Sequence, residues 1–548
     1  MATRRRKRLR SIFWIGLAVV MIVPITLDIF RARMLPKADK DQVYLWVDLS
    51  ASANLSQTRE AADIAMQTMF SATGDLAIVE SVSVAVGSRL PDDFANLFRG
   101  GSFRLGENQF SARIGLSSHK DRDIPSERFV IGMRPVLQQA LLSRFPDARI
   151  RLLEDPPGPP VMATFEARLK GGVDTSHADI VRFSEAVEAQ VREIAREESI
   201  EDLVTSVEGT RMRTAIQLDH GRLLDRGLDA ARIAHALTMT NGPIVLAPLE
   251  SETWTREVRD IVIELPEGDM ADESFFRNLS FTNASNERVR LDEVADIAIE
   301  PELPRIDAHD RSPVVTLSAE IGNNSVIYPV ISLYGILRSS EFARSSGYRA
   351  VSATPYGIDF VGIADGREYR LEWGGEWEIT MDTFRDLGTA MVLSLLAIYF
   401  LIVAQFGGFR TGGLVMTTFL LSFFGIMPGF AILYLVSGEY FTATAMIGAI
   451  ALGGIVVGNA ILLIDAIDRS VDSGLPIAEA VADGAKKRVL PVMLTSLAAI
   501  LGSFVITSDP VWSGLAWSII TGLSASAILT LFFIPVFYSD HVRARVEA

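Results

Sequence analysis

Cysteine is absent from all 548 residues. That excludes disulfides and thiolate metal sites, and leaves open a domain outside the cytoplasm held together by its core alone. Histidine is scarce, and His119, His177, His220, His235, His309 and His541 show no metal-ligand spacing. Met133 and Met162 form no thioether cluster. No GxxxxGK[ST] phosphate loop and no G-x-S-x-G elbow occur, which disfavours ATP-driven chemistry and serine hydrolysis. Positive charge is in deficit, 52 Lys and Arg against 67 Asp and Glu for a net −15, so nucleic acid is not an expected partner. Between about residues 33 and 380 no apolar run is long enough to cross a membrane.

Elsewhere such runs are plentiful. Mean hydropathy is +0.26 although 22% of residues are charged. Apolar and polar residues must therefore be segregated, into spans and a large water-exposed part. The basic start MATRRRKRLRS precedes an apolar run, Ile12 to Leu27, that ends in Asp28-Ile29-Phe30-Arg31 with no A-x-A-like cleavage site. It reads as a retained span rather than a cleaved signal. Five more runs follow, at about 385–404, 411–437, 442–467, 489–507 and 513–538. With the N-terminus in the cytoplasm, the inner segments carry Arg410, Arg469, Lys486, Lys487, Arg488, Arg543 and Arg545. The short outer loops, 437–439 and 508–510, carry no Lys or Arg. That is the positive-inside bias. It predicts six spans arranged one plus five, both termini in the cytoplasm, and the large domain outside.

The outer domain alternates strand and helix signals. Strands at 43–49, 76–85, 109–116 and 148–153, with helices at 56–70 and 134–145, give the order β-α-β-β-α-β of a split βαβ unit. After the stiff Pro156-Pro157-Gly158-Pro159-Pro160, a second copy starts with a strand at 161–169, a helix at 178–197 and a strand at 203–208. An inserted β-rich stretch interrupts it, with signals at 214–218, 229–237 and 258–265. Strands resume at 314–320 and 349–361.

Polar groups inside spans are costly, face the bundle interior and mark pathways. Arg488 and Thr495, seven apart, share one helical face. A cation at the membrane edge with a hydroxyl two turns deeper suits a proton relay. The plainer reading makes Arg488 an anchor and Thr495 a hydroxyl bonded back to its own helix. Asn459 is either a pathway residue or packing glue. Asp465 lies near the inner edge, and Gly454 with Gly458 forms a small-xxx-small face. In the outer domain, Phe98, Phe103 and Phe110 stand in a glycine-containing segment, as grips for an amphiphile or as core plugs.

These stretches resemble the resistance-nodulation-division (RND) efflux permeases, acriflavine-resistance or hydrophobe-amphiphile exporter type. EDPPGPPVMATFEARLKG, VRLDEVADIAIEP, GIVVGNAILLIDAI, LPVMLTSLAAILG and GLSASAILTLFFIPVFY match in collinear order. They match the C-terminal half of such a permease. The resemblance implies a six-span bundle carrying an α+β periplasmic domain of two ferredoxin-like porter subdomains with a docking insertion. On that reading residues 1–11 are a cytoplasmic N-terminus and 12–30 the first span. Residues 31–160 form the first porter subdomain, 161–206 and 301–380 the second, and 207–300 the insertion. Spans two to six fill 381–538, and 539–548 is a cytoplasmic tail.

The resemblance also implies roles. Arg488 and Thr495 fall on the family's relay arginine and threonine, and Asn459 on the asparagine beside its relay lysine. Gly458 stands where many drug exporters carry that lysine, which puts the usual aspartate–lysine switch in doubt. The proton-binding aspartates belong to the other half. A half-permease of the bacterial inner membrane is therefore expected, separately encoded or a fragment. It would be driven by the proton gradient with no cofactor or metal, as a transporter subunit and not an enzyme. Its expected partners are an N-terminal half, a trimeric assembly, a periplasmic adaptor, an outer-membrane channel, membrane lipid and small amphiphilic substrates. Phe98, Phe103 and Phe110 fall near the family's loop beside the drug pockets. The alternatives are a scaffold or regulatory subunit that has lost the relay, and a secretion accessory subunit of the same superfamily.

Overall fold

The computed structural model describes residues 16, 18–36, 39–74, 78–155, 161–207, 209–240, 244–249, 259–263, 273–302 and 305–546. The basic N-terminus, residues 12–15 and 17 of the expected first span, and the Pro156–Pro160 punctuator lie outside the described residues. Residues 18–26 are helical. The chain divides into two compact units, Glu208–Arg305 and the remainder.

The larger unit opens with β1 (Gln42–Asp48), α1 (Leu55–Thr73), β2 (Val79–Val86), β3 (Gln109–Leu116), α2 (Ser126–Arg144) and β4 (Arg149–Glu154). The sheet order is β2-β3-β1-β4, and every pair is antiparallel. The continuous apolar run of β1 has a simple cause: both faces of the strand are covered. Val43, Leu45 and Val47 join a core with Ala61, Met69, Phe129 and Leu137 of α1 and α2, while Tyr44 and Trp46 pack on the other side with Ala95 and Leu153. α1 starts at a capping box in which Asn54 and Gln57 exchange side-chain and backbone bonds of 2.9 and 3.1 Å. α2 begins eight residues before the expected Arg134 and runs through Pro135. The missing N–H there faces away from the core, since Ile131 and Pro135 are both exposed.

A second sheet follows from β5 (Phe165–Gly171), α3 (His177–Ile194), β6 (Ile200–Thr205), β7 (Ser312–Ile321), α4 (Ile327–Leu337), β8 (Tyr348–Thr354), β9 (Gly357–Gly362) and β10 (Glu368–Gly374). Its order is β7-β5-β10-β9-β8, with Asp307–His309 and β6 both on β7. Phe183 and Val187 of α3 and Val330 and Leu333 of α4 cover it. The expected single strand at 349–361 is a hairpin. Pro355-Tyr356 turns the chain, and the Pro355 and Tyr356 carbonyls accept from Trp377 Nε1 at 2.8 Å and the Trp373 N–H at 2.9 Å.

Five helices are long and apolar enough to cross a membrane among the described residues: α5 (Gly375–Phe406), α6 (Phe409–Ser437), α7 (Ala443–Asp472), α8 (Ile477–Phe504) and α9 (Ser513–Val546). The packing centre is α9, which touches α6, α7 and α8. Glycines set its closeness. A Cβ at Gly425 would lie 2.2 Å from the Thr521 carbonyl oxygen, and one at Gly448 2.6 Å from that of Leu515.

The unit Glu208–Arg305 has its own core of Leu223, Ile233, Phe281, Val289, Leu291 and Ile297. It also holds a two-stranded hairpin, Ile244–Leu249 with Arg259–Ile263.

Candidate functional site

The polar residues of the spans meet at the α7–α8 contact. Asn459 is buried on α7. The Thr495 hydroxyl lies 3.0 Å from the Val492 carbonyl of its own helix and 3.5 Å from Asn459 Oδ1. Its proton thus goes to the helix, and Asn459 stands within reach of a second arrangement. One to two turns toward the C-terminal end of α7, Asp465 pairs with Arg469 at 2.8 Å, and Arg488 stands 3.9 Å from the same carboxylate. Thr495 thus bonds back to its own helix, while Arg488 stands beside Asp465 on the neighbouring one. Asp465 faces two guanidinium groups rather than water alone.

Among the described residues, Gly454 and Gly458 mediate no close helix approach. A Cβ at either would meet nothing within 4 Å, and Ala451 and Leu462 beside them are exposed. The stripe of α7 next to Asn459 is an open wall, as are Met493, Leu494 and Leu497 of α8.

The N-terminal end of α7 is tied to residues 31–34 by peptide groups. Arg33 N–H donates to the Phe441 carbonyl at 3.0 Å, Phe441 N–H to that of Arg31 at 2.8 Å, and Ala443 N–H to that of Met34 at 2.9 Å. Thr442 caps α7 through the Ala445 N–H. The same short strap reaches α4. Ala32 N–H donates to Tyr328 Oη at 3.1 Å, and the Arg33 guanidinium donates to the Asn324 carbonyl. Arg31 is stacked between Tyr328 and Tyr434, 4.8 and 5.5 Å from their ring centres, and Arg33 lies 4.6 Å from that of Tyr440. Near this end, burial pushes the Glu439 carboxyl up, against a hydrogen bond from Ser513.

Arg33 and Met34 continue into the wall of a cavity of about 80 Å³ between the two sheets' subdomains. Buried ion pairs cross the same boundary. Arg99 meets Glu320 at 2.8 Å, and Arg134 holds both oxygens of Asp202 at 3.1 Å. Asp202 also accepts from the Leu152 N–H at 2.9 Å, yet burial pushes its carboxyl up in spite of Arg134. Burial raises Asp155 too, against a bond from Gln42 Nε2 at 3.2 Å. The wall also carries Glu127, Glu154 and Glu376, with apolar Val130, Leu152 and Ile379 between the charges. Among the described residues no His lines it, and Met34 is its sole thioether.

The three phenylalanines separate. Phe110 has no exposure and pairs with Val47 and Val86 in the first sheet, so it is core and not a wall of a path, a correction to the expectation. Phe98 and Phe103 are 50% and 81% exposed. Their segment is pinned beneath by Asp93, which bonds Arg113 at 2.6 Å and Tyr44 at 2.7 Å, and by Arg104 on Asp48 at 2.8 Å. The strap and the two cross-boundary ion pairs were not foreseen. Arg31 and Arg33, charges directly after an apolar run, were the available signal for the strap. The ion pairs have none, being 68 and 221 residues apart.

The profile described as the AcrB/AcrD/AcrF family matches residues 363–540. The swarming motility protein SwrC of Bacillus subtilis (strain 168) is 26% identical over 350 residues, covering 62% of this chain and 30% of that protein. The nickel and cobalt resistance protein CnrA of Cupriavidus metallidurans is 32% identical over 215 residues, 36% of this chain and 20% of that one. Among solved structures, a heavy metal efflux pump (crystal form II) superposes with a TM-score of 0.72 at 18% identity. It covers 98% of this chain, which spans about half the length of that pump, 51%.

Proposed function

Since the chain belongs to the RND permeases, as a multi-pass membrane protein with their fold and about half the length of a solved pump, we propose that it is the C-terminal half of a proton-motive-force-driven exporter. The two sheets are read as porter subdomains and Glu208–Arg305 as the docking insertion. The first apolar run adds a sixth span, which leaves the large domain in the periplasm. A partner N-terminal half supplies the proton-binding aspartates. An adaptor and an outer-membrane channel complete a trimeric assembly. No cofactor is needed, because the proton gradient supplies the energy.

The observation that carries this reading is the open wall of α7. Asn459 is buried against Thr495 at 3.5 Å, while a Cβ at Gly458 beside it would meet nothing within 4 Å. A polar pair at an unfilled helix face is half of a relay. Protonation of the partner's carboxylates would draw the Thr495 hydroxyl off Val492, with Asn459 as the alternative acceptor and Arg488 holding the inner end.

The substrate proposed is an organic amphiphile with cationic character. The cavity between the subdomains is lined by apolar surface, by five carboxylates and by Arg33, Arg99 and Arg134, with no His and one thioether among the described residues. That donor set suits a cation with an apolar body better than a soft or borderline metal ion. The Phe98 and Phe103 side chains offer further apolar surface.

Cells carrying the chain with an N-terminal half should expel ethidium, and Arg488→Ala or Thr495→Ala should abolish that. Full efflux from this chain by itself would refute the need for a partner. Unchanged efflux in both variants would favour a scaffold that has lost the relay, the reading that Gly458 supports.

A further inference from the structure

α4 breaks a rule that water-exposed helices obey. Its eleven residues, IYPVISLYGIL, contain no charged side chain. One face is buried: Pro329, Val330, Leu333 and Leu337 pack on the second sheet. The opposite face of a helix standing in water carries polar residues. Here that face presents Ile331, 56% exposed, and Gly335.

The start of this face is placed by its first member. Tyr328, Ile331 and Gly335 stand at i, i+3 and i+7, one above another on a helix. Tyr328 Oη accepts the Ala32 N–H just after the first apolar run, and the Tyr328 ring stacks on Arg31. The other side of Arg31 meets Tyr434, in the last turn of the span α6. Tyr328 is therefore level with the end of a span, in the zone where tyrosines collect at membrane surfaces. Ile331 is three residues further along, about 4.5 Å by helix rise.

We infer that the Tyr328–Ile331–Gly335 face of α4 rests on the lipid bilayer, in the leaflet on the domain's side. The second subdomain then touches the membrane directly, by an apolar helix face as well as through its covalent link to α5. Lipid is the occupant because the face continues a tyrosine–arginine belt that begins on the spans themselves. An apolar face of this size also adds interfacial binding in proportion to the area it buries.

The absence of cysteine makes the test direct. The full chain with Ile331→Cys carries one nitroxide label in vesicles of phosphatidylethanolamine and phosphatidylglycerol. Its collision rates with oxygen, which partitions into lipid, and with a water-soluble nickel chelate are compared. Leu396→Cys in α5 is the lipid reference. Val173→Cys is the water reference, because it is fully exposed and lies beyond the end of β5 opposite Phe165, which bridges to Gly375 at the start of α5. The oxygen-to-nickel ratio at position 331 should exceed that at 173 several-fold. A ratio equal to that at 173 overturns the inference. So does a label that neither collider reaches, because protein then covers the face. Should Ile331→Cys not accumulate, Gly335→Cys gives the same reading, with an open Cβ position.

Discussion

Asp202→Ala is the substitution whose cost the structure specifies best. The Asp202 side chain is fully buried, and that of Arg134 is 6% exposed. The two aspartate oxygens share the Arg134 Nε–H, and the carboxylate also accepts from the Leu152 N–H and Gln138 Nε2. Truncation strands a guanidinium inside the boundary between the two subdomains. Breaking one member of such a pair costs about 3–5 kcal/mol. For a cooperative unit of some 150–250 residues, each kcal/mol moves the midpoint by about 2–4 °C, so a fall of roughly 6–20 °C is expected. The assay is thermal unfolding of the full chain in detergent at neutral pH, followed by tryptophan fluorescence. The double variant Arg134→Met with Asp202→Asn removes both charges and leaves an acceptor for the Leu152 N–H. Asn also tolerates the φ of +54° at this position. It should recover most of the loss, because exchanging a buried pair for neutral groups is close to neutral. An Asp202→Ala protein that melts with the wild type, or a double variant as damaged as the single, refutes the reasoning.

Further outcomes follow from the same physics. Gly458→Ala should leave the melting of this chain within about 0.5 kcal/mol of wild type. Gly425→Ala, whose Cβ would meet the Thr521 carbonyl oxygen at 2.2 Å, should cost about 1–3 kcal/mol in the same melt. Phe110→Ala should cost about 3–5 kcal/mol. Phe103→Ala, at 81% exposure, should leave the melt unchanged and weaken binding of a fluorescent amphiphile. Asp155 holds its proton more tightly folded than unfolded. Its contribution is then present below the ordinary carboxylate range and lost as pH rises through the raised value. Asp155→Asn should accordingly melt at or above wild type at neutral pH and lose that advantage on acidification. A difference that does not change with pH would contradict this.

Some of this was legible and some was not, for physical reasons. The apolar runs at 411–437 and 513–538 stand inside α6 and α9, since length in hydrocarbon is a one-dimensional property. α8 starts twelve residues before its apolar run, at Ile477, because the polar AEAVADGAKK continues the helix beyond the membrane core. α4 passed unnoticed: a charge-free run of eleven residues is too short for a span, and its meaning depends on what it rests against. The Arg134–Asp202 contact joins elements whose only relation is tertiary. In the spans, residue type pointed to Asn459, Arg488 and Thr495, but their spacing along two helices could not say which carbonyl the threonine hydroxyl chooses.

The three bonds between residues 31–34 and 441–443 run from peptide to peptide. A joint of that kind is silent in an alanine scan, because every side chain can be shaved without touching a donor. Only proline at position 33, 441 or 443 deletes a rung. Selection on these three bonds would therefore act on backbone geometry, while Arg31, Arg33 and Thr442 add side-chain contacts to the same joint. The mechanical link between a span and the domain above it could persist while the letters that spell it drift.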